Sequence, residues 1–133
     1  MKEDLKKEVV VILNKIQEAR KYSEPFHPAQ LFTLCEDLVA RRAWLISYLL
    51  ETESKYRHKI LEFKNKESFD EKGKLVKATN VEAENKAKTT EEYRDYKYLK
   101  YVDELISDQI LLIKKFADKL DTEMRSSGSV VTR

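Results

Sequence analysis

One short segment of this chain concentrates side chains that could bind a nucleic acid. Residues 93–101 read YRDYKYLKY, so four of the chain's seven tyrosines are interleaved with three basic residues and one acid. Exposed aromatic rings beside lysines can stack unpaired bases and neutralise the adjacent phosphates, which is the chemistry of sequence-tolerant single-strand binding. Tyrosine is also common where a side chain has one dry edge and one wet edge. Packing of all four rings in an interior or a subunit interface therefore stays open as the alternative.

A helical projection divides this segment into two groups. At about 100° per residue, Tyr98 and Tyr101 are predicted to lie near the apolar face of the helix, with Leu105. The other group is predicted to lie on an exposed arc and to contact DNA: Tyr93, Tyr96, Lys97 and Lys100. We therefore expect two structural tyrosines and two that stack bases.

A second basic cluster lies between residues 55 and 66, where Glu62 is the only acid. In an antiparallel helical hairpin this region would come near the start of the last helix, so lysines from both could form one phosphate-binding patch. The side chains assigned to phosphate contacts are Lys55, Arg57, Lys59 and Lys64. The alternative is that lysines near a helix carboxyl end complement the helix dipole and keep the surface soluble.

No catalytic or metal-binding pattern accompanies these residues. His27 lies in a proline-containing turn and His58 in a charged helix, and the sequence has no HExxH motif and no Gly-rich phosphate loop. Cys35 is the only cysteine, which excludes an intramolecular disulfide, and its place on an apolar stripe favours a buried thiol over a nucleophile. We expect a protein that is not an enzyme and that uses no cofactor and no metal.

Composition narrows the fold class. The chain has 133 residues, of which 41% are hydrophobic and 38% charged, with only two Gly and two Pro. Such a composition disfavours turn-rich all-β folds and disordered chains. The net charge of +2 is too balanced to indicate a nucleic-acid partner by itself, so local clusters must carry that argument. No apolar run approaches the ~20 residues of a membrane span, and we expect a cytoplasmic protein with no membrane partner.

The apolar pattern predicts an all-α protein with helices at about residues 2–22, 29–66 and 80–124. They form a single helical domain, residues 1–125, and a flexible tail is predicted for residues 126–133. Two long helices joined by a short connection must lie antiparallel, so the architecture is a long, coiled-coil-like helical hairpin with an additional amino-terminal helix.

Local signals set the boundaries of these helices. Pro25 and Pro28 break the chain after the first helix, and Pro28 suits the first turn of the second. Residues 67–78 contain Gly73 and few regularly spaced apolar side chains, so we expect a mobile connection there. Thr79 and Glu82 have the spacing of a capping box, which predicts the start of the third helix.

Heptad spacing on the second helix predicts self-association. From Leu31 to Phe63 the seam positions alternate steps of four and three, which is typical of coiled coils, although Arg42, Thr52 and Lys59 interrupt the apolar pattern. We expect a homo-oligomer whose interface contains Leu38, Leu45, Leu49, Leu105, Leu112 and Phe116.

The order of features resembles a family of small helical phage proteins, the recombination mediators of the UvsY type. The resemblance covers residues 38–127 and is carried by a long charged helix, a polar connection and a final helix. The residues that carry it are Trp44-Leu45, Glu53-Ser54-Lys55, Lys77-Ala78-Thr79-Asn80-Val81-Glu82-Ala83-Glu84, Glu92-Tyr93, Tyr101, Asp103, Ile113-Lys114-Lys115 and Met124-Arg125-Ser126.

This resemblance implies an oligomer in the host cytoplasm that binds single-stranded DNA and helps a recombinase displace the single-strand binding protein. Two other functions stay open. One is a protein-binding module, such as a phage-encoded inhibitor of a host defence complex, that uses a helical face in a partner's groove. The other is a structural coiled-coil subunit of a larger assembly, which would self-associate without binding nucleic acid.

Overall fold

The computed structural model describes residues 1–23 and 27–131, with side chains described as far as Arg125. Its elements follow the chain as α1 (Glu3–Lys21), α2 (Pro28–Asn65), β1 (Glu67–Phe69), β2 (Leu75–Lys77), α3 (Asn80–Ala87) and α4 (Glu91–Val131). Apart from one small hairpin the described chain is helical, so the predicted all-α class is confirmed. The predicted turn at Pro25 lies outside the described residues. No helix in the described ranges is long and apolar enough to cross a membrane.

The first of two compact units contains Met1–Ala43 and Val102–Arg133. Its core is built from one stripe of each helix, and α1 contributes Leu5, Val9, Ile12, Ile16 and Ala19. On α2 the buried stripe includes Leu31 and Leu38, and on α4 it includes Ile106 and Ile113. Burying such stripes is what holds long amphipathic helices together, because propensity alone contributes little.

Ion pairs fix the directions of the helices within this unit. Arg41 on α2 donates to Glu8 on α1, and Lys15 lies 3.9 Å from Asp37, so α1 and α2 run antiparallel. Arg42 donates from Nε to the Asp103 carboxylate on α4 at 2.8 Å and from a terminal nitrogen at 3.4 Å. The residue that interrupts the heptad pattern therefore pairs with an acid of its own chain.

The second compact unit spans Trp44–Tyr101. It contains the second half of α2, the β-hairpin, α3 and the first turns of α4, and its fully buried side chains are Leu45, Ala83, Ala87 and Leu99. In this unit Tyr56 of α2 packs on Tyr96 of α4, and Lys59 lies 4.0 Å from Glu92. A later position on α2 thus meets an earlier one on α4, as the predicted antiparallel hairpin requires.

The third predicted helix is two helices in the structure. Lys88–Thr90 separates α3 from α4, and the Thr89 and Thr90 hydroxyls donate to the carbonyls of Lys86 and Ala87. The Thr90 hydroxyl also accepts from the Tyr93 amide at 3.4 Å, which caps the start of α4. Threonine side chains that bond the local backbone compete with a continuous helix, which explains the break.

At its other end α4 continues to Val131, past the expected end at residue 124.

The connection predicted between the two long helices contains a β-hairpin. Strands β1 and β2 pair antiparallel, with Phe69 opposite Leu75. One Asp70 carboxylate oxygen accepts from the amides of Lys72 and Lys74 at 2.9 and 2.8 Å. Gly73 has φ of +76°, a conformation that side chains disfavour, so glycine completes the turn. The sequence carried this Asp-x-x-Gly turn signal, and the prediction of a connection without strands overlooked it.

The capping box predicted at the start of the third helix is present. The Thr79 hydroxyl accepts from the Glu82 amide at 3.2 Å, and the Glu82 carboxylate accepts from the Thr79 amide at 3.4 Å. The box starts α3, a helix of eight residues that is too short to be stable without its cap and its buried face.

Candidate nucleic-acid interface

Tyr93 and Tyr96, predicted to stack bases, are half-buried and pack on a third ring from α2. The Tyr56 and Tyr96 ring centroids lie 5.5 Å apart with the planes 10° from parallel. The Tyr56 and Tyr93 centroids lie 4.9 Å apart with an angle of 44°. Aromatic pairs in these arrangements stabilise a helix contact beyond their buried area. Their prediction as exposed stacking residues is therefore wrong, and they join α4 to α2.

Two lysines cover this aromatic cluster. The Lys97 ammonium lies 5.8 Å from the centre of the Tyr93 ring, and the Lys100 ammonium lies 6.0 Å from that of Tyr96. At these distances a cation is attracted by the ring face. Both lysine side chains remain exposed, so each can still meet a phosphate.

The exposed tyrosines of α4 are the two that were predicted to face the core. Tyr98 is 41% exposed and Tyr101 is 57% exposed. The reason is that α4 buries only one side of its broad apolar face, namely Leu99, Val102, Ile106, Gln109 and Ile113, and the two tyrosines lie on the other side with Leu105 and Leu112.

These tyrosines share an exposed face of α4 with two bases, and we call the four residues the α4 face: Arg94, Lys97, Tyr98 and Tyr101. Residues three and four apart are neighbours on a helix surface, so Arg94 adjoins Tyr98, and Lys97 adjoins Tyr101. All four side chains are exposed. The α4 face therefore has the composition that single-strand binding requires, with Arg94, Tyr98 and Tyr101 in place of the predicted Tyr93, Tyr96 and Lys100.

Of the four basic side chains predicted on α2, Lys59 is half-buried and the others are exposed, and three of the four pair with acids of their own chain. Lys55 lies 3.2 Å from Glu51, Arg57 lies 2.8 Å from Glu53, and Lys59 lies 3.1 Å from Glu62. Exposed pairs of this kind contribute little stability, so a phosphate can compete with the carboxylate for the base. Lys64, the fourth predicted contact, is also exposed.

The pairing acids also act on the protonation of two of these bases. The side-chain hydrogen bond to Glu53 raises the pKa of Arg57, and the hydrogen bond to Glu62 raises the pKa of Lys59. Both side chains therefore stay cationic throughout the physiological range.

The six residues predicted at an oligomer interface have different environments. Leu38 and Leu45 are completely buried within the single chain. A side chain without exposed surface has none to offer a second subunit, so these two are core residues and their assignment is corrected. Leu49, Leu105 and Phe116 are half-buried, and Leu112 is exposed.

Neither a metal site nor an activated cysteine is formed by the described residues. No group of three His, Cys, Asp or Glu side chains among them is arranged to hold a metal ion. Cys35 is half-buried against the cluster of Ala19, Leu31, Leu34 and Ile113. Burial raises the pKa of its thiol, which keeps the sulfur protonated and weakly nucleophilic at neutral pH.

Comparison of the chain with family models, with curated proteins and with solved structures finds no match.

Proposed function

We propose that this protein is a non-enzymatic accessory of phage DNA recombination or replication that binds single-stranded DNA as an oligomer. The observation that carries the proposal is the α4 face, where two exposed tyrosines adjoin two exposed bases. Large exposed aromatic side chains beside cations are well suited to unpaired bases, since every base has a face that can stack.

The spacing of the α4 face suits neighbouring nucleotides. Tyr98 and Tyr101 are three residues apart, about 4.5 Å along the helix axis, so two rings can engage two adjacent bases. Arg94 and Lys97 would then meet the phosphates on either side. Binding of this kind is tolerant of sequence, because stacking and charge do not read base edges.

The distribution of charge supports the same partner. Residues 55–88 contain ten basic and six acidic residues, a net of +4, so the rest of the chain carries a net of −2. A positive segment within a nearly neutral protein concentrates attraction for a polyanion in one region. This segment includes all four basic residues predicted on α2.

The resemblance to UvsY-type mediators supports the biological setting. It implies that a recombinase or a single-strand binding protein is the protein partner, and that the subunits act together in the host cytoplasm. Repetition of a weak site in an oligomer raises the affinity by effective concentration, which compensates for the small number of cations per subunit.

The test is fluorescence anisotropy of a labelled oligo-dT with the wild-type protein and two matched double variants, at about 50 and 200 mM salt. Replacing Tyr98 and Tyr101 with Ala should weaken binding at least about 30-fold, since base stacking contributes ~1–3 kcal/mol per base and two rings are lost. Replacing both with Phe keeps the rings and should keep the affinity. Wild-type protein that does not bind at the lower salt, or an Ala variant that binds as well as wild type, would overturn the proposal.

A second function is favoured by an exposed apolar face of α2. Leu50, which is 59% exposed, and Leu61 share this face with Arg57, along an open groove of about 470 Å³. A partner helix could occupy such a groove, as expected for an inhibitor of a host complex or for a structural coiled-coil subunit. Salt distinguishes the two functions, because phosphate contacts weaken steeply with added salt and an apolar helix contact does not.

A further inference from the structure

The β-hairpin presents apolar and basic side chains that the described chain does not cover. Residues directly opposite each other in a hairpin share a face, so Phe69 and Leu75 lie side by side with the Glu67–Lys77 pair next to them. All six strand residues are exposed, and the Phe69 side chain is 75% exposed. A two-stranded hairpin gains little stability by itself in water, so a ligand that covers this face would stabilise it.

The turn of the hairpin holds its lysines in a defined place. The Asp70 carboxylate accepts from the Lys72 and Lys74 amides, and the Gly73 amide donates to the Asp70 carbonyl at 3.0 Å. The Asp70 charge is thereby directed at the backbone, while the Lys72 and Lys74 side chains are exposed at the turn that follows Phe69.

Charge indicates which ligand fits. Residues 64–77 contain five lysines and three acids, a net of +2, so the hairpin attracts a polyanion and repels a second copy of itself. An exposed phenyl ring next to lysines can stack on an unpaired base, whereas paired bases in a duplex offer no free face. A single nucleic-acid strand therefore matches both the apolar and the cationic parts of this surface.

We propose that the β-hairpin is a second contact for single-stranded DNA, in which Phe69 stacks a base and Lys72 and Lys74 neutralise adjoining phosphates. This inference rests on the proposed function and extends the bound strand beyond the α4 face. The hairpin acts as an arm that increases the number of nucleotides each subunit covers.

The experiment compares oligo-dT binding by the full chain with variants at Phe69. Phe69→Leu keeps an apolar partner for Leu75 but removes the aromatic plane, and we expect about tenfold weaker binding. Phe69→Trp keeps the plane and should bind at least as tightly, with its additional fluorescence quenched by the oligonucleotide. Leu75→Ala removes the cross-strand apolar contact, which Phe69→Leu keeps, and leaves the ring in place. Unchanged binding by Leu75→Ala therefore shows that the loss in Phe69→Leu is not caused by a weakened hairpin.

The lysines are tested by the salt dependence of binding. Each phosphate contact to a single strand contributes about 0.7 to the slope of log K against log salt, so Lys72→Gln with Lys74→Gln should lower the slope by about 1.4. Two results together would overturn this inference alone: an unchanged slope in the double lysine variant and an unchanged affinity in Phe69→Leu. This conclusion requires that the Tyr98 and Tyr101 double Ala variant loses binding. Wild-type protein without affinity for oligo-dT would overturn both proposals. If Phe69→Leu lowers the subunit number in light scattering while DNA binding is retained, the hairpin is an interface between copies and the inference is wrong.

Discussion

Gln109 is a polar residue within the buried seam of α4, and its burial costs the fold stability. It is 4% exposed, and its side-chain nitrogen has no hydrogen-bond partner in the described part of the chain. A buried donor without a partner loses its hydration without compensation. A polar residue in an apolar seam can nevertheless fix the register between helices.

We expect Gln109→Leu to raise the free energy of unfolding by about 1 kcal/mol, because it removes the unpaired amide and keeps the side-chain volume. Urea unfolding followed by circular dichroism gives this difference. Gln109→Ala is the control, since it removes the same amide but opens a cavity and should not stabilise. A lower stability of the Leu variant would show that the amide is satisfied in solution.

The pKa of Tyr56 predicts a pH dependence at the residue scale. Burial raises the pKa of the Tyr56 phenol above its ordinary value of 10, and the neighbouring Tyr93 and Glu84 raise it further. The unfolded chain releases this proton near pH 10, earlier than the folded protein does. Stability from this group is therefore complete below about pH 10 and is lost as the pH rises through the folded-state pKa.

Tyr56→Phe should remove the loss of stability that the ionisation of Tyr56 causes at high pH. The difference in unfolding free energy between wild type and variant should therefore change between about pH 9 and pH 11. Absorbance of tyrosinate at high pH should show one late-ionising group in the wild type that the variant lacks. If the tyrosine lost in Tyr56→Phe is one that ionises near pH 10, the result would contradict the half-buried cluster of three rings.

At the scale of elements, local signals in the sequence were informative. The capping box at Thr79 and Glu82 predicted a helix start that the structure contains, because capping depends on residues three positions apart. The break at Lys88–Thr90 also depends on local side chains, but its signal was outweighed by the long helical pattern. The turn at Asp70–Gly73 depends on local side chains as well, and its signal was overlooked.

We expect Thr79→Ala to weaken α3 by about 1 kcal/mol, since the Glu82 amide loses the hydroxyl that accepts its hydrogen bond. Hydrogen exchange of the amides in residues 80–87 should become faster, while exchange in the core of α4 stays unchanged. Thr79→Ser keeps the hydroxyl and serves as the control. Equal protection of α3 in all three proteins would mean that burial of Ala83 and Ala87 alone holds this helix.

At the scale of the whole molecule, burial separates core residues from residues that can meet a partner. Leu45 and Leu112 both follow heptad spacing and were assigned to one interface, yet Leu45 is fully buried and Leu112 is exposed. The distinction determines which substitutions test stability and which test association.

Leu45→Ala should lower the free energy of unfolding by about 3 kcal/mol because it leaves a cavity, without changing the subunit number of the folded protein. Leu112→Gln should change this free energy by less than about 0.5 kcal/mol and lower the subunit number. Unfolding and light scattering at one fixed protein concentration measure both effects, since assembly also affects stability. Dissociation caused by Leu45→Ala without loss of stability would contradict the single-chain core.

The sequence by itself determined the helical class, the stripe of α1, the two long helices and the concentration of positive charge in residues 55–88. These properties follow from the spacing of apolar residues, from helix capping and from composition. Spacing and capping act within one element, and composition can be read without any structure. Only the tertiary structure decided which seam of α4 is buried, and hence that Tyr98 and Tyr101 are exposed while Tyr93 and Tyr96 pack on Tyr56. Two seams of equal spacing are available on α4, and the choice between them depends on contacts with α1 and α2, residues far away along the chain.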